Sequence, residues 1–331
     1  MKRVIVLSNT VGREFSLPVK TTAIRSIGDI EVVSLLTSKD CDYIQLVEKI
    51  AKNSSYIFVD LEKKQPLNLR NQFNQGGNLF QSVFNAINKL NLNNELNLYP
   101  IKLNDLTVNA TWKYLNKEYQ DISGLKLGLI GTGNIGSKLL YVLTESGAKI
   151  RCFNRDINKA LNVVNSVVLT KPKEVISSPD VVRSIEHTMV NTSGLLIACS
   201  NLSEDLSDYI YLMNKNFRIF LIGHSLLKKN SLKRFRDKNI NIQRVDVGQE
   251  LLNFVIGTLA TDFYKVYGQK VYDGIRFCSG GYIGEEGDLI VDDFDKPKWY
   301  YASCNGFGGV NYSKDFKGLK SIDELDSFFN Y

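Results

Sequence analysis

Gly131, Gly133 and Gly136 fall in the spacing G-x-G-x-x-G, within the run Gly131-Thr132-Gly133-Asn134-Ile135-Gly136. The first glycine of such a run permits a tight turn. The second lets backbone come against a pyrophosphate, and the third lets a helix pack closely on a strand. A helix starting there would aim free N–H groups and the positive end of its dipole at phosphates. Context strengthens the string. The apolar run Leu125 to Ile130 leads in, and Ile135, Leu139, Val142 and Leu143 share one face of a helix leading out, closed by Gly147. All six residues are therefore expected to hold a dinucleotide. A ligand-free glycine turn and a methyltransferase-type nucleotide site are the alternatives for the same string.

The next apolar run, Lys149 to Phe153, puts Asn154 and then Arg155 where an acid usually accepts hydrogen bonds from the adenosine ribose. A carboxylate repels a 2′-phosphate, whereas Asn and Arg accept one, so NADP is expected ahead of NAD. Asp156 would restore an acid if the strand ended one or two residues later. Ser200, closing the run Gly194 to Ser200, is assigned to the same cofactor. Hydride transfer at a carbonyl also needs a proton donor or acceptor at the oxygen, and often a cation for a substrate anion. His224 leads as the proton-transfer group because it follows a predicted parallel strand at the carboxyl edge, where ligands bind; a structural histidine is the alternative. Lys63, beside Lys64, follows the strand Tyr56 to Asp60 and is read either as an anion-binding or acid group or as part of a solvated charged loop. Cys304 as a covalent nucleophile has no histidine near it in sequence. Asp292 and Asp293, adjacent on a strand, would point to opposite faces and chelate poorly, so no metal is expected.

These groups need a scaffold that brings strand ends to one edge. Short apolar runs at Val4 to Leu7, Glu31 to Leu36 and Tyr56 to Val59, with helical periodicity at Ile44, Val47 and Ile50, predict a small α/β layer. A helix over Leu79 to Leu90, a loop over Asn91 to Leu98 and Pro100, and a helix from Leu106 to Tyr119 follow. Strands are then predicted at Leu125 to Ile130, Lys149 to Phe153, Ser166 to Thr170, Gly194 to Ser200, Phe217 to His224 and Ile240 to Val247. Six such runs joined by helices predict a doubly wound parallel Rossmann sheet, with a second, smaller α/β domain beside it. The expected division is residues 1–104, 105–255 and 256–331; a long helix from Gln249 to about Tyr267 crosses into the last, whose tail from Gly280, rich in glycine, aspartate and aromatics, is expected to pack on the first domain or stand apart from it.

The chain has 331 residues, a hydrophobic share of 44% and a charged share of 23%, which argues for folded domains rather than disorder. The formal charge of +6 comes from scattered Lys and Arg, so nucleic acid is not an expected partner. Five cysteines without CxxC spacing indicate neither a disulfide framework nor a zinc site and fit a reducing cytoplasm. No run reaches membrane-spanning length. A small-molecule substrate is the expected partner, and a homodimer is left open.

The segment ISGLKLGLIGTGNIGSKLLYVLTESGAKIRCFNR, Ile122 to Arg155, resembles the NAD-binding domain of the D-isomer-specific 2-hydroxyacid dehydrogenases, the formate/glycerate dehydrogenase-like group. The pattern from Met213 to Asp246 resembles the end of that domain. The resemblance implies an NAD(P)-dependent oxidoreductase acting on a small hydroxy or keto compound, with Asp246 against the nicotinamide carboxamide. Glu250 approximates the family's catalytic glutamate. The family's arginine after the fifth strand is missing from Gly223-His224-Ser225-Leu226, and no histidine follows His224. The Gly223-His224 step is similar to one in the S-adenosylhomocysteine hydrolases, which use nicotinamide without net redox. A lyase or hydrolase of that kind and a noncatalytic dinucleotide-binding protein are thus the alternatives.

Overall fold

The computed structural model describes residues 2–9, 17–38, 41–62, 77–223, 226–260, 268–272, 274–291 and 300–311. Lys63, Lys64, His224, Asp292 and Asp293 lie outside the described residues.

The first sheet is built from β1 (Lys2–Ser8), β2 (Val19–Ile27), β3 (Ile30–Thr37), β4 (Tyr56–Asp60) and β5 (Asn97–Ile101), in the order β2-β3-β1-β4-β5. β1 pairs in parallel with β3 and β4, and β4 with β5; β2 runs antiparallel along one edge. The central strands read as unbroken apolar runs because both faces are covered: Ile57, Phe58 and Val59 are all fully buried. Helices α1 (Tyr43–Ala51) and α2 (Leu79–Lys89) bury Val47, Ile50, Val83 and Ile87 against Leu7 and Val59. Two expectations need correction here. The polar, mostly exposed β2 carries no apolar run and was not foreseen. The loop expected at Asn91 to Pro100 ends instead in β5, an edge strand, where the N–H that Pro100 lacks is not needed for pairing on both sides.

Helix α3 (Leu103–Tyr119) leads to the second sheet, whose strands are β6 (Lys126–Ile130), β7 (Lys149–Phe153), β8 (Asp180–Val181), β9 (Gly194–Ile197), β10 (Arg218–Leu221) and β11 (Asn241–Arg244). All run parallel in the order β11-β10-β9-β6-β7-β8, so the chain reverses its winding between β6 and β9. Helices α4 (Asn134–Glu145), α5 (Ile157–Thr170), α6 (Ile185–Met189) and α7 (Lys229–Asp237) make the connections, together with a 3-10 turn at Leu206–Leu212, and α8 (Gly248–Ala260) follows the last strand. The strand expected at Ser166 to Thr170 is the last part of α5. Its valines look like a strand in isolation, but Ala160, Val164 and Val167 are the buried positions, at helical spacing, and Asp156 caps the start. The sixth strand is the two-residue β8, too short to leave an apolar signature.

The third sheet comprises β12 (Gln269–Tyr272), β13 (Ile275–Cys278), β14 (Leu289–Val291), β15 (Tyr300–Cys304) and β16 (Val310–Asn311), in sequence order around Cys278, Ile290, Ala302 and Cys304. The first two sheets fall in one compact unit, 1–253, and the third in another, 254–331. Among the described residues no helix is long and apolar enough to cross a membrane, and no group of three His, Cys, Asp or Glu side chains is placed to hold a metal.

Candidate dinucleotide-binding site

β6 is anchored by Leu127 and Leu129, both fully buried, and delivers Gly131 to the carboxyl edge between β7 and β9. The Gly131 N–H donates to the Phe153 carbonyl at 2.8 Å, and its φ of +98° is one that glycine tolerates. A Cβ at this position would lie 2.7 Å from the Ala198 carbonyl oxygen and 3.1 Å from Cys199 Cβ. The ends of β6, β7 and β9 therefore meet at the point where the winding reverses, the place where open α/β sheets form a ligand crevice. At Gly136 a Cβ would lie 1.9 Å from the Gly131 carbonyl oxygen, so α4 can reach the turn only without a side chain there.

Gly133 differs from both. It is the N-cap of α4, its φ of −75° suits any residue, and a Cβ built on it meets nothing within 4 Å. As a glycine, it offers α4 no side-chain cap. The first-turn N–H groups and the space before Gly133 thus form an uncapped cradle matched to an anion. Thr132, 1% exposed, is tied to the second strand by the Asn154 amide, which donates to its Oγ1 at 2.7 Å. Asn134 and Ile135 are the first two residues of α4.

β7 ends at Phe153, so Asn154 and the exposed Arg155 follow it as the register anticipates. The Asp156 carboxylate accepts from the Lys159 N–H at 3.0 Å as the N-cap of α5 and is committed to that helix. Ser200 is exposed three residues beyond β9. The preceding Cys199 lies beside the glycine turn, where a Cβ on Gly131 would meet its Cβ, and burial pushes its thiol up, against partial relief from backbone donors and the Arg155 charge. Cys304, in the third sheet, is buried with its Sγ 3.3 Å from that of Cys278, which fits a core thiol better than an accessible nucleophile.

Asp246 and Glu250 lie past β11, on the other half of the edge. Asp246 accepts from Arg25 Nη2 of β2 at 3.1 Å and from the Gly248 N–H at 3.0 Å. Gly248 lets the Arg25 guanidinium lie over its backbone, where a Cβ would come 2.1 Å from Nε. Glu250, 8% exposed, takes a 2.6 Å hydrogen bond from Lys113 Nζ of α3. Both acids are thus engaged by cations from elsewhere in the chain. Near the cradle, Lys138 on α4 hydrogen-bonds Asp105 and lies 3.4 Å from Glu62 Oε1. Burial pulls the Lys138 ammonium down, but the hydrogen bonds and charges of Asp105 and Glu62 outweigh it and hold the group above its ordinary value. Arg25, Lys113 and Lys138 carry no motif. Their partners lie 221, 137 and 33 or 76 residues away in sequence, so spacing offers no signal for them.

Residues 99–200 match the family described as D-isomer specific 2-hydroxyacid dehydrogenase, NAD binding domain. Among characterised proteins, a glutamyl-tRNA reductase from Thermosipho melanesiensis is 31% identical over 222 residues, which is 61% of this chain; the match spans 53% of that protein, about half its length. Among solved structures, shikimate 5-dehydrogenase from Listeria monocytogenes, in complex with shikimate and NAD, is 12% identical, covering 76% of this chain and 88% of that one with a TM-score of 0.43. Quinate dehydrogenase from Corynebacterium glutamicum, in complex with NAD, is 11% identical, covering 77% and 92% with a TM-score of 0.43. The second sheet and its helices form a dehydrogenase-type NAD(P)-binding Rossmann domain.

Proposed function

We propose that the chain is an NAD(P)(H)-dependent oxidoreductase acting on a small polar hydroxy or keto substrate, with NADP(H) preferred. Gly133 carries this reading, because neither backbone conformation nor packing asks for glycine there, whereas the close approach of a pyrophosphate does. Gly131, Thr132, Gly133, Asn134, Ile135 and Gly136 would hold the pyrophosphate. Asn154 and Arg155 would face the adenosine ribose and its 2′-phosphate, and Ser200 and Asp246 would line the path toward the nicotinamide, which supplies or takes the hydride. The assignment of Asp246 requires Arg25 to share or release it. Proton transfer is assigned to His224 from its place after β10. Lys63 and Glu250 are the further candidates, Glu250 in its ion pair with Lys113.

Purified, cofactor-free chain titrated with NADPH and NADH, followed by nicotinamide fluorescence, tests the reading. NADPH should bind more tightly, and Arg155→Ala should weaken NADPH about 10- to 100-fold, the worth of one hydrogen bond from a charged group, while leaving NADH unchanged. Binding of neither nucleotide would refute the proposal. Equal binding of both, with no effect of Arg155→Ala, would remove the NADP preference alone.

A further inference from the structure

The first sheet has a reversal of its own. From β1 the chain passes to β2 and β3 on one side, and from β4 it passes through α2 to β5 on the other, while β1 and β4 are parallel neighbours. The topological rule that places the cofactor on the second sheet places a ligand site at the carboxyl ends of these two strands as well. Ser8, Asn9 and Asp60 stand there. Asp60 is fully buried, accepting from Ser8 Oγ at 2.9 Å and from the Glu62 N–H at 3.1 Å. Asn9, where the chain leaves β1, is 2% exposed, yet its Oδ1 has no hydrogen-bond partner among the described residues. A buried acceptor without a donor is costly and uncommon. Glu62, at the same strand end, reaches Lys138 on the second turn of α4 and accepts from the Asn104 N–H at 2.9 Å. The strand ends of the first sheet are thus tied to the first half of the cofactor helix, within one compact unit.

We propose that this strand-end site is the substrate subsite and that Asn9 Oδ1 accepts a hydrogen bond from a hydroxyl or amino group of the substrate. The inference rests on the oxidoreductase reading and narrows its substrate to a compound that carries an O–H or N–H donor besides the reacting carbon. A keto acid with acceptors alone would leave Oδ1 unpaired.

Asn9→Leu tests it, since leucine has nearly the same size and no acceptor. In the ligand-free chain, replacing an orphaned acceptor should raise the melting temperature by about 2 °C, because the apolar side chain removes a desolvation cost. If Asn9 were instead a satisfied structural residue, the same change would lower it. The full chain with NADP⁺ bound is then screened by saturation-transfer NMR against three- to seven-carbon hydroxy acids, starting from D-glycerate, and amino acids without a hydroxyl group, starting from L-alanine. At least one arm should show binding, and that arm identifies the donor as hydroxyl or ammonium. Asn9→Leu should weaken that binding about tenfold, the worth of one hydrogen bond, and leave NADPH affinity unchanged. A lowered melting temperature or failure to fold, no binder in either arm, or equal binding by the variant would each overturn the proposal. If NADPH fails to bind the parent chain, the oxidoreductase reading falls, and the melting-temperature test of Asn9 still reads the strand-end site by itself.

Discussion

At the scale of single residues, the three glycines of the turn separate folding from binding. Gly136→Ala forces a Cβ to within 1.9 Å of a carbonyl oxygen and should cost about 2–3 kcal/mol, visible in urea unfolding. Gly133→Ala meets nothing in the protein and should leave the unfolding midpoint in place while weakening NADPH at least tenfold by fluorescence titration. Loss of stability without loss of binding at Gly133 would reverse these roles. The motif was legible because its chemistry is local: six consecutive residues carry the turn, the approach and the helix start. Asn154 and Arg155 were legible for the same reason, since one strand end fixes their register. Arg25, Lys138 and Asn9 were not. A cation reaching across more than 200 residues to Asp246, or an acceptor left orphaned by its neighbours, is a property of assembled structure and leaves no trace in spacing.

At the scale of elements, α5 decides what Asp156 does. Its carboxylate holds the Lys159 N–H, so Asp156→Ala should cost about 1 kcal/mol of stability, the usual worth of an N-cap, without changing the ratio of NADPH to NADH affinity. A shift of that ratio toward NADPH would show that Asp156 faces the ribose instead. The same helix shows where periodicity misleads. A valine-rich stretch taken alone reads as a strand, and only the burial of Ala160, Val164 and Val167 on one face reveals the helix. Buried parallel strands such as β4 and β6 announce themselves as apolar runs. Edge strands such as β2, β5 and β8 are polar, interrupted by proline or too short to do so.

At the scale of the whole molecule, all five cysteines are unbridged in the structure, and four are buried. Burial pushes Cys41 up to about 11, with Asp42 adding to it, and pushes Cys152 and Cys278 up to about 12. Near pH 8 these groups are protonated, and the nucleophilic thiolate is scarce. A thiol reagent at pH 8 should therefore modify at most Cys199 in the native chain and all five cysteines in denaturant. These raised values also set a direction for stability. The thiol contributions are intact below 9.0, the ordinary thiol value, and decline as pH climbs through 11 to 12, because the unfolded chain ionises first. The urea midpoint should hold between pH 7 and 8.5 and fall above pH 9. Rapid labelling of several cysteines in the native chain would contradict this account. Composition gives the number of thiols but not their depth, which depends on what packs around each one in the folded chain.

Gly133 also makes inheritance informative. Gly131 and Gly136 are kept by anything that must fold this way, whatever it binds, because backbone stands where their side chains would go. Gly133 is under no such obligation. In descendants of this chain, selection can hold glycine there only while something must approach the backbone. A lineage that abandons its cofactor is free to drift at this one position while its neighbours stay fixed. An alanine or serine at 133 between two retained glycines would then mark a scaffold that outlived its chemistry.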